Sequence, residues 1–129
     1  MNILFIQNRI LFPTNTGGRI RTLNVLRYLA QWHQVTYLCN LESGEQSHCE
    51  AMRAVGMQLE TVPWQGTTSN DWKFYRDLAI NCFSRMPFSV AKDTNPALRR
   101  RAEQLVEQNT YDLVICDFVQ MAPTAIGLA

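Results

Sequence analysis

Four short strand-length stretches of this chain are rich in apolar or β-branched residues: Ile3 to Ile6, Val35 to Cys39, Met57 to Val62 and Leu113 to Cys116. In all but Met57 to Val62, which Gln58 and Glu60 interrupt, these residues stand at consecutive positions. Consecutive apolar residues over strand-length runs are what a strand needs when both of its faces are covered, as in a parallel sheet. Strands are therefore expected over Asn2 to Asn8, Val35 to Cys39, Met57 to Val62 (stopped by Pro63) and Leu113 to Cys116, extended to Phe118. A further short strand is expected over Phe88 to Ala91.

Between these runs the period changes to that of a helix. Ile20, Leu23, Leu26 and Ala30, widened by Val25 and Leu29, form an apolar stripe. They predict a helix from Arg19 to Trp32 with Arg21, Asn24, Tyr28 and Gln31 outward. Ser43 followed by Gln46 has the form of a capping box, and Gly56 is placed as a C-terminal cap. A second helix is therefore expected from Gly44 to Val55. A third is expected over Asp71 to Ser84. Asn95 followed by Pro96 is a good start for a fourth, running to Gln108. Gln120 to Ala129 reads as the beginning of another helix, cut short. The order β-α-β-α-β-α-(β)-α-β-α predicts an α/β, three-layer Rossmann-like domain with a mostly parallel sheet.

Size and charge remove several functions. A chain of 129 residues with 47% hydrophobic content supports one domain with a core. The formal net charge of +1 gives no bulk electrostatic case for nucleic acid. None of the four cysteines, Cys39, Cys49, Cys82 and Cys116, forms a C-x-x-C pair, so neither zinc nor redox chemistry is indicated. They read as small buried hydrophobes of a reducing compartment. No apolar run reaches the ~20 residues of a membrane span, and the start of the chain lacks a basic signal-peptide region. A cytoplasmic protein is expected.

Candidate chemistry gathers after the first strand. The segment Arg9 to Gly18 is long for a strand-to-helix turn, and long loops in this position tend to be functional. Thr14-Asn15-Thr16-Gly17-Gly18-Arg19 matches neither G-x-x-x-x-G-K-[ST] nor G-x-G-x-x-G, which argues against the common nucleotide fingerprints. The glycine pair serves either a sharp turn with positive φ or the close approach of a ligand to a helix start. Arg19 and Arg21 in the first turn oppose the helix macrodipole, and an anion bound there would offset that cost. Asp117 stands at the carboxyl end of the fourth apolar run, where ligands of open parallel sheets bind. It either contacts a hydroxyl or acts in acid/base chemistry, or else caps the following helix. Asp112, at the other end of that run, reads as a turn residue. His33 and His48 are far apart, and no metal site is expected. The run Arg99-Arg100-Arg101 reads as a solvated helix face. Trp64, Trp72, Phe74 and Tyr75 read as core and loop packing in preference to an aromatic ligand wall. No Ser-His-Asp or Cys-His arrangement can be traced.

Taken together, Asn2-Ile-Leu-Phe-Ile6, Pro13 to Thr22 and Leu26 to Leu38, with Pro87 and Tyr111 to Asp117, resemble the opening of family 4-type glycosyltransferases, especially sugar transferases of bacterial exopolysaccharide systems. The resemblance implies the N-terminal, acceptor-side half of a GT-B fold, with the donor-binding C-terminal domain absent from residues 1–129, so that the chain should be inactive alone. It implies transfer of a sugar from a nucleotide-sugar to a carbohydrate or lipid-linked acceptor, with no further cofactor, and peripheral association of the full protein with the inner face of a membrane. It further implies that Gly17 and Gly18 form a loop near the donor phosphate and sugar, with Arg19 and Arg21 supplying charge and Asp117 as a secondary catalytic or acceptor-contacting candidate. Many members carry a histidine where this chain reads Cys116-Asp117-Phe118, so that role has no bearer here. The alternatives are a non-enzymatic α/β ligand-binding or receiver-like module, which Gln7 and Asn8 disfavour because a phosphoacceptor receiver needs acidic residues there, and a nucleotide-sugar epimerase or dehydrogenase, whose glycine fingerprint is missing.

Overall fold

The structure is a computed structural model that describes residues 1–65, 76, 90 and 94–128. Four parallel strands, β1 (Asn2–Arg9), β2 (Gln34–Glu42), β3 (Gln58–Trp64) and β4 (Leu113–Cys116), form one sheet in the order β3-β2-β1-β4. Their register sets Ile3 beside Val35 and Leu113, and Thr36 beside Gln58. Helices α1 (Gly17–Trp32) and α2 (Cys49–Arg53) join the first three strands. Helix α3 (Pro96–Gln108) precedes β4, and a short α4 (Ala122–Ala125) follows it. The expected α/β, three-layer Rossmann-like arrangement with an all-parallel sheet is thus present.

The consecutive apolar residues of β1 and β2 divide between two cores, as strand geometry requires. Ile3, Phe5, Val35, Tyr37 and Cys39 pack with Leu23 and Leu26 of α1 and Met52 of α2. Leu4, Ile6, Leu38 and Val62 pack on the opposite face with Leu98, Ala102 and Leu105 of α3. Asn95 caps α3, its side chain accepting from Ala97 N at 2.9 Å, with Pro96 in the first turn.

Several expectations are corrected. Strand β3 runs through Pro63, which pairs with Leu41. Among the described residues β3 is an edge strand, and there a missing N–H costs no ladder bond. The expected Gly44–Val55 helix is a 3-10 turn at Gln46–His48 followed by the five-residue α2. Ser43 caps nothing, because β2 extends to Glu42 and Gly44 turns the chain at φ 96°. Gly56 does close this region, at φ 93°. Strand β4 stops at Cys116 and has an exposed Leu113. Of the expected Asp71–Ser84 helix and Phe88–Ala91 strand, nearly all residues lie outside the described ones, as do Trp72, Phe74, Tyr75, Cys82 and Pro87. Arg76 is helical, and so is Val90, which is not extended as expected. The arginine run does not simply face solvent. Arg99 pairs with Glu103 and donates to the carbonyls of Pro123 and Ile126, and Arg101 pairs with Glu60.

Helix α1 presents its expected face: Leu23 and Leu26 are buried, Leu29 and Ala30 partly so, and Arg21, Asn24, Tyr28 and Gln31 are exposed. It differs at the flanks, where Ile20 and Val25 are exposed and Thr22 is buried with its hydroxyl bonded to the carboxylate of Asp117.

Tyr37 and Cys39 lie side by side in chain order on the α1 face of β2, and both are fully buried. Tyr37 stacks on Phe5 at 5.8 Å and donates to the carbonyl of Arg9 at 2.8 Å. Burial pushes both protons to be held more tightly than usual. Their contribution to stability is therefore complete below the ordinary values, 9.0 for cysteine and 10.0 for tyrosine, and is lost as pH rises above them. The urea midpoint should be flat near neutrality and fall above pH 9. The slope should reach about 1.4 kcal/mol per pH unit for each group ionised only in the unfolded chain. Tyr37→Phe should flatten the part of that decline that sets in above pH 10. A midpoint unchanged up to about pH 11 would contradict the burial of both groups.

Candidate functional site

The strand order fixes where a ligand can enter. From β1 the chain crosses to β2 and then β3 on one side, and it later places β4 on the other side of β1. The connections diverge between β1 and β4, and a crevice outside the carboxyl ends of the strands is the consequence. A cavity of about 240 Å³ opens at that position. It is lined by Gln7, Asn8 and Arg9 at the end of β1, Ile10 and Leu11 beyond it, and Thr16, Gly18 and Arg19 at the start of α1. Phe118 and Gln120 after β4 complete it.

Its inner wall is held by one carboxylate. Asp117 Oδ2 accepts from Gln7 Nε2 at 3.0 Å and from the Thr22 hydroxyl, and Oδ1 accepts from Arg21 Nη2 at 2.7 Å. Gln7 and Thr22 are 5% and 1% exposed, so their two bonds are part-buried, while that from Arg21 is exposed to solvent. The Arg21 guanidinium also lies over the Phe118 ring, 5.5 Å from its centroid, a cation–π arrangement that positions the aromatic wall. Asp117 therefore spans β1, α1 and the end of β4.

This changes the role of each residue singled out in the sequence. Asp117 has both oxygens engaged by donors and so braces β1, α1 and the end of β4. It does not cap the next turn, whose N-cap is Phe118. Arg21 does not line the cavity and is paired with Asp117. Arg19 does line it, with Nη1 held by the Pro13 carbonyl at 3.0 Å and by Asn15 Oδ1 at 3.5 Å. Gly17 and Gly18 are not a loop. They are the first two residues of α1, which Thr16 caps by accepting from Arg19 N. Neither glycine has a positive φ. Nor does crowding within the protein require them. A Cβ at Gly17 would meet nothing within 4 Å, and one at Gly18 would meet Phe118 Cζ at an ordinary 3.6 Å. The space before Gly18 is the cavity itself.

The remaining chemistry is that of a binding site. Arg19 and Arg9, the latter paired with Glu42 at 2.8 Å, bring positive charge to the cavity. Among the described residues no group of three or more metal-ligating side chains occurs. His33 caps the end of α1 and His48 lies in the 3-10 turn, so neither reaches the cavity. Cys116 is partly buried, and that burial raises its pKa, which keeps it a neutral thiol. Asn8, Arg9, Thr16, Phe118 and Gln120 were not singled out from the sequence. Phe118 and Gln120 had a positional signal, since both follow the strand whose carboxyl end Asp117 marks.

No family model, curated protein or solved structure matches this chain.

Two substitutions separate the brace from the cavity. Asp117→Ala leaves the Thr22 hydroxyl and the Gln7 amide buried without their acceptor and should cost about 2–3 kcal/mol in urea unfolding. A loss below about 0.5 kcal/mol would show that the carboxylate does not hold the junction. Gly18→Ala should leave stability unchanged or raise it by up to about 1 kcal/mol, because the helical φ suits alanine and the new Cβ makes a normal contact. A clear destabilisation would mean that the start of α1 needs glycine for its own backbone.

Proposed function

We propose that this chain is the acceptor-side, N-terminal domain of a glycosyltransferase that moves a sugar from a nucleotide-sugar to a carbohydrate or lipid-linked acceptor. The observation that carries the reading is Gly18 at the first turn of α1. It faces a cavity at the topological switch point and has no conformational or packing reason to be glycine. A helix start presents unpaired N–H groups and partial positive charge. Without a Cβ at this position, a phosphate or a sugar ring can approach the backbone closely.

The residues around the cavity suit positioning and electrostatic stabilisation better than proton transfer. Arg19 is tethered at two points, which aims its guanidinium at low entropic cost to any bound anion. Phe118 offers an apolar wall opposite the helix start. On this reading the leaving diphosphate is met by the start of α1 and Arg19, and the nucleotide is held by a second domain. A non-enzymatic ligand-binding module is the second reading. It is favoured by the lack, among the described residues lining the cavity, of an uncommitted carboxylate or histidine.

Amide chemical shifts of the chain titrated with UDP-glucose and, separately, with inorganic phosphate test the site. Gly17, Gly18 and Arg19 should shift with the nucleotide-sugar at about 1 mM. Gly18→Trp should abolish the shift by filling the cavity, and Gly18→Ala should weaken it, because its Cβ stands where the ligand approaches the backbone. If neither UDP-glucose nor GDP-mannose perturbs these amides, the assignment fails. Sugar transfer by an enzyme containing this domain separates the lead reading from the binding module.

A further inference from the structure

A second cavity, of about 400 Å³, opens at the amino edge of the sheet, the end opposite to the first. The starts of β1, β2 and β3 supply Asn2, Gln34, Thr36 and Gln58, and the end of α3 with the turn before β4 closes it through Gln108 to Tyr111. It stands roughly 20 Å from the first cavity, the rise of β1 from Asn2 to Asn8 at ~3.3 Å per residue. Its volume is that of a small-molecule site. Among the described residues no charged side chain lines it. Five of the lining side chains are carboxamides and three carry hydroxyls.

Several of these groups are oriented by the protein. Thr36 is only 6% exposed. Its Oγ1 accepts from the Tyr111 hydroxyl at 3.3 Å and donates to Gln58 Oε1 at 3.4 Å. That row of hydroxyls turns the Gln58 oxygen inward and leaves the Nε2 hydrogens as the uncommitted donors of this amide. Asn2 and Asn109 are held in the opposite sense. Asn2 Nδ2 donates to the Thr110 carbonyl at 3.1 Å, and Asn109 Nδ2 donates to the Leu105 carbonyl at 3.1 Å. The free atom of each is therefore the acceptor Oδ1. Gln34 and Gln108, both exposed, add one amide each.

The wall thus sets donors and acceptors side by side without net charge. A phosphate or carboxylate calls for arginine, lysine or a cluster of N–H donors, and a metal ion calls for several oxygen ligands of negative charge. A sugar hydroxyl is donor and acceptor at once, so a ring that bears several of them matches a mixed wall of amides. The half-buried Tyr111 brings an aromatic ring with a polar tip to the same wall. We propose that this cavity binds a neutral sugar, with Gln58 Nε2 donating to its hydroxyls and Asn2 Oδ1 and Asn109 Oδ1 accepting from them. A ligand held here does not compete for the first cavity, because the length of the sheet separates the two. The inference rests on the lining of the amino edge and not on the reading of the first cavity.

Amide shifts of the chain, side-chain and backbone, titrated with maltose, cellobiose and lactose to about 20 mM test it. At least one disaccharide should move the side-chain NH2 signals of Gln58 and Asn2 and the backbone amides of Thr110 and Tyr111, and saturate in the millimolar range. Gly17, Gly18 and Arg19 should stay in place. The double change Gln34→Ala, Gln58→Ala should weaken binding roughly tenfold or more, with the circular dichroism kept because both residues are exposed. Inorganic phosphate should leave the same signals unmoved. The proposal is overturned if none of the three disaccharides moves these signals, or if binding is undiminished in the double variant. Movement by phosphate as strong as by sugar would overturn it in favour of an anion site, and movement by adenosine alone in favour of a nucleobase site. Disaccharide shifts confined to Gly17, Gly18 and Arg19 would overturn it by placing the sugar at the carboxyl edge. A failure of UDP-glucose to move Gly18 has no bearing on these signals, so the two sites are read independently.

Discussion

The carboxylate of Asp117 is the constraint on which the working end of this protein depends. Three segments far apart in sequence, the end of β1, the second turn of α1 and the residue after β4, meet through its two oxygens. A sheet and a helix packed only through apolar side chains can slide or rotate by small amounts at little cost. A part-buried carboxylate with three donors cannot, because any displacement leaves a polar group unpaired out of water.

From this junction the site acquires its character. With Asp117 satisfied and Arg21 committed to it, the cavity is left with tethered Arg19, ion-paired Arg9, the amides of Gln7, Asn8 and Gln120, and the ring of Phe118. Such a set suits orienting a ligand better than transferring a proton. The same arginine that neutralises Asp117 lies over Phe118, so the electrostatic brace also fixes the aromatic wall. The glycines complete the arrangement by leaving the helix start open to whatever occupies the cavity.

Helix α1 thereby carries three environments on one element of sixteen residues. One side closes the core over β1 and β2, the amino end opens on the cavity, and the outer side holds aromatic rings and arginine in solvent. Its orientation is not adjustable at one of these without changing the others, because Thr22 ties its roll angle to Asp117. Elsewhere the polar contacts are local. Asp112 accepts from Asn2 N at 2.7 Å and fixes β1 beside the loop before β4, and the buried pair Asn40 and Asn95 at 2.7 Å anchors the start of α3 to β2.

The sequence by itself determined the class of fold. Consecutive apolar residues at Ile3 to Ile6 and Val35 to Cys39 require strands covered on both faces, and Asn95-Pro96 and Gly56 mark helix ends through local backbone chemistry. Those signals act over a few residues and survive reading one residue at a time. It also placed Gly18, Arg19 and Asp117 at the carboxyl edge of the sheet, where the cavity opens. What it left open was decided by contacts between residues about a hundred positions apart. Whether Asp117 is a base, a cap or a brace depends on Gln7, Arg21 and Thr22 being brought to it, and no local pattern encodes that meeting. Whether Gly17 and Gly18 serve a turn or a ligand depends on their φ and on the empty space before them. The apolar stripe finds the side of α1 that faces the core but not that Thr22 joins it while Ile20 and Val25 stay exposed, because hydrophobic periodicity counts apolar area and is blind to a buried hydroxyl that reaches a carboxylate.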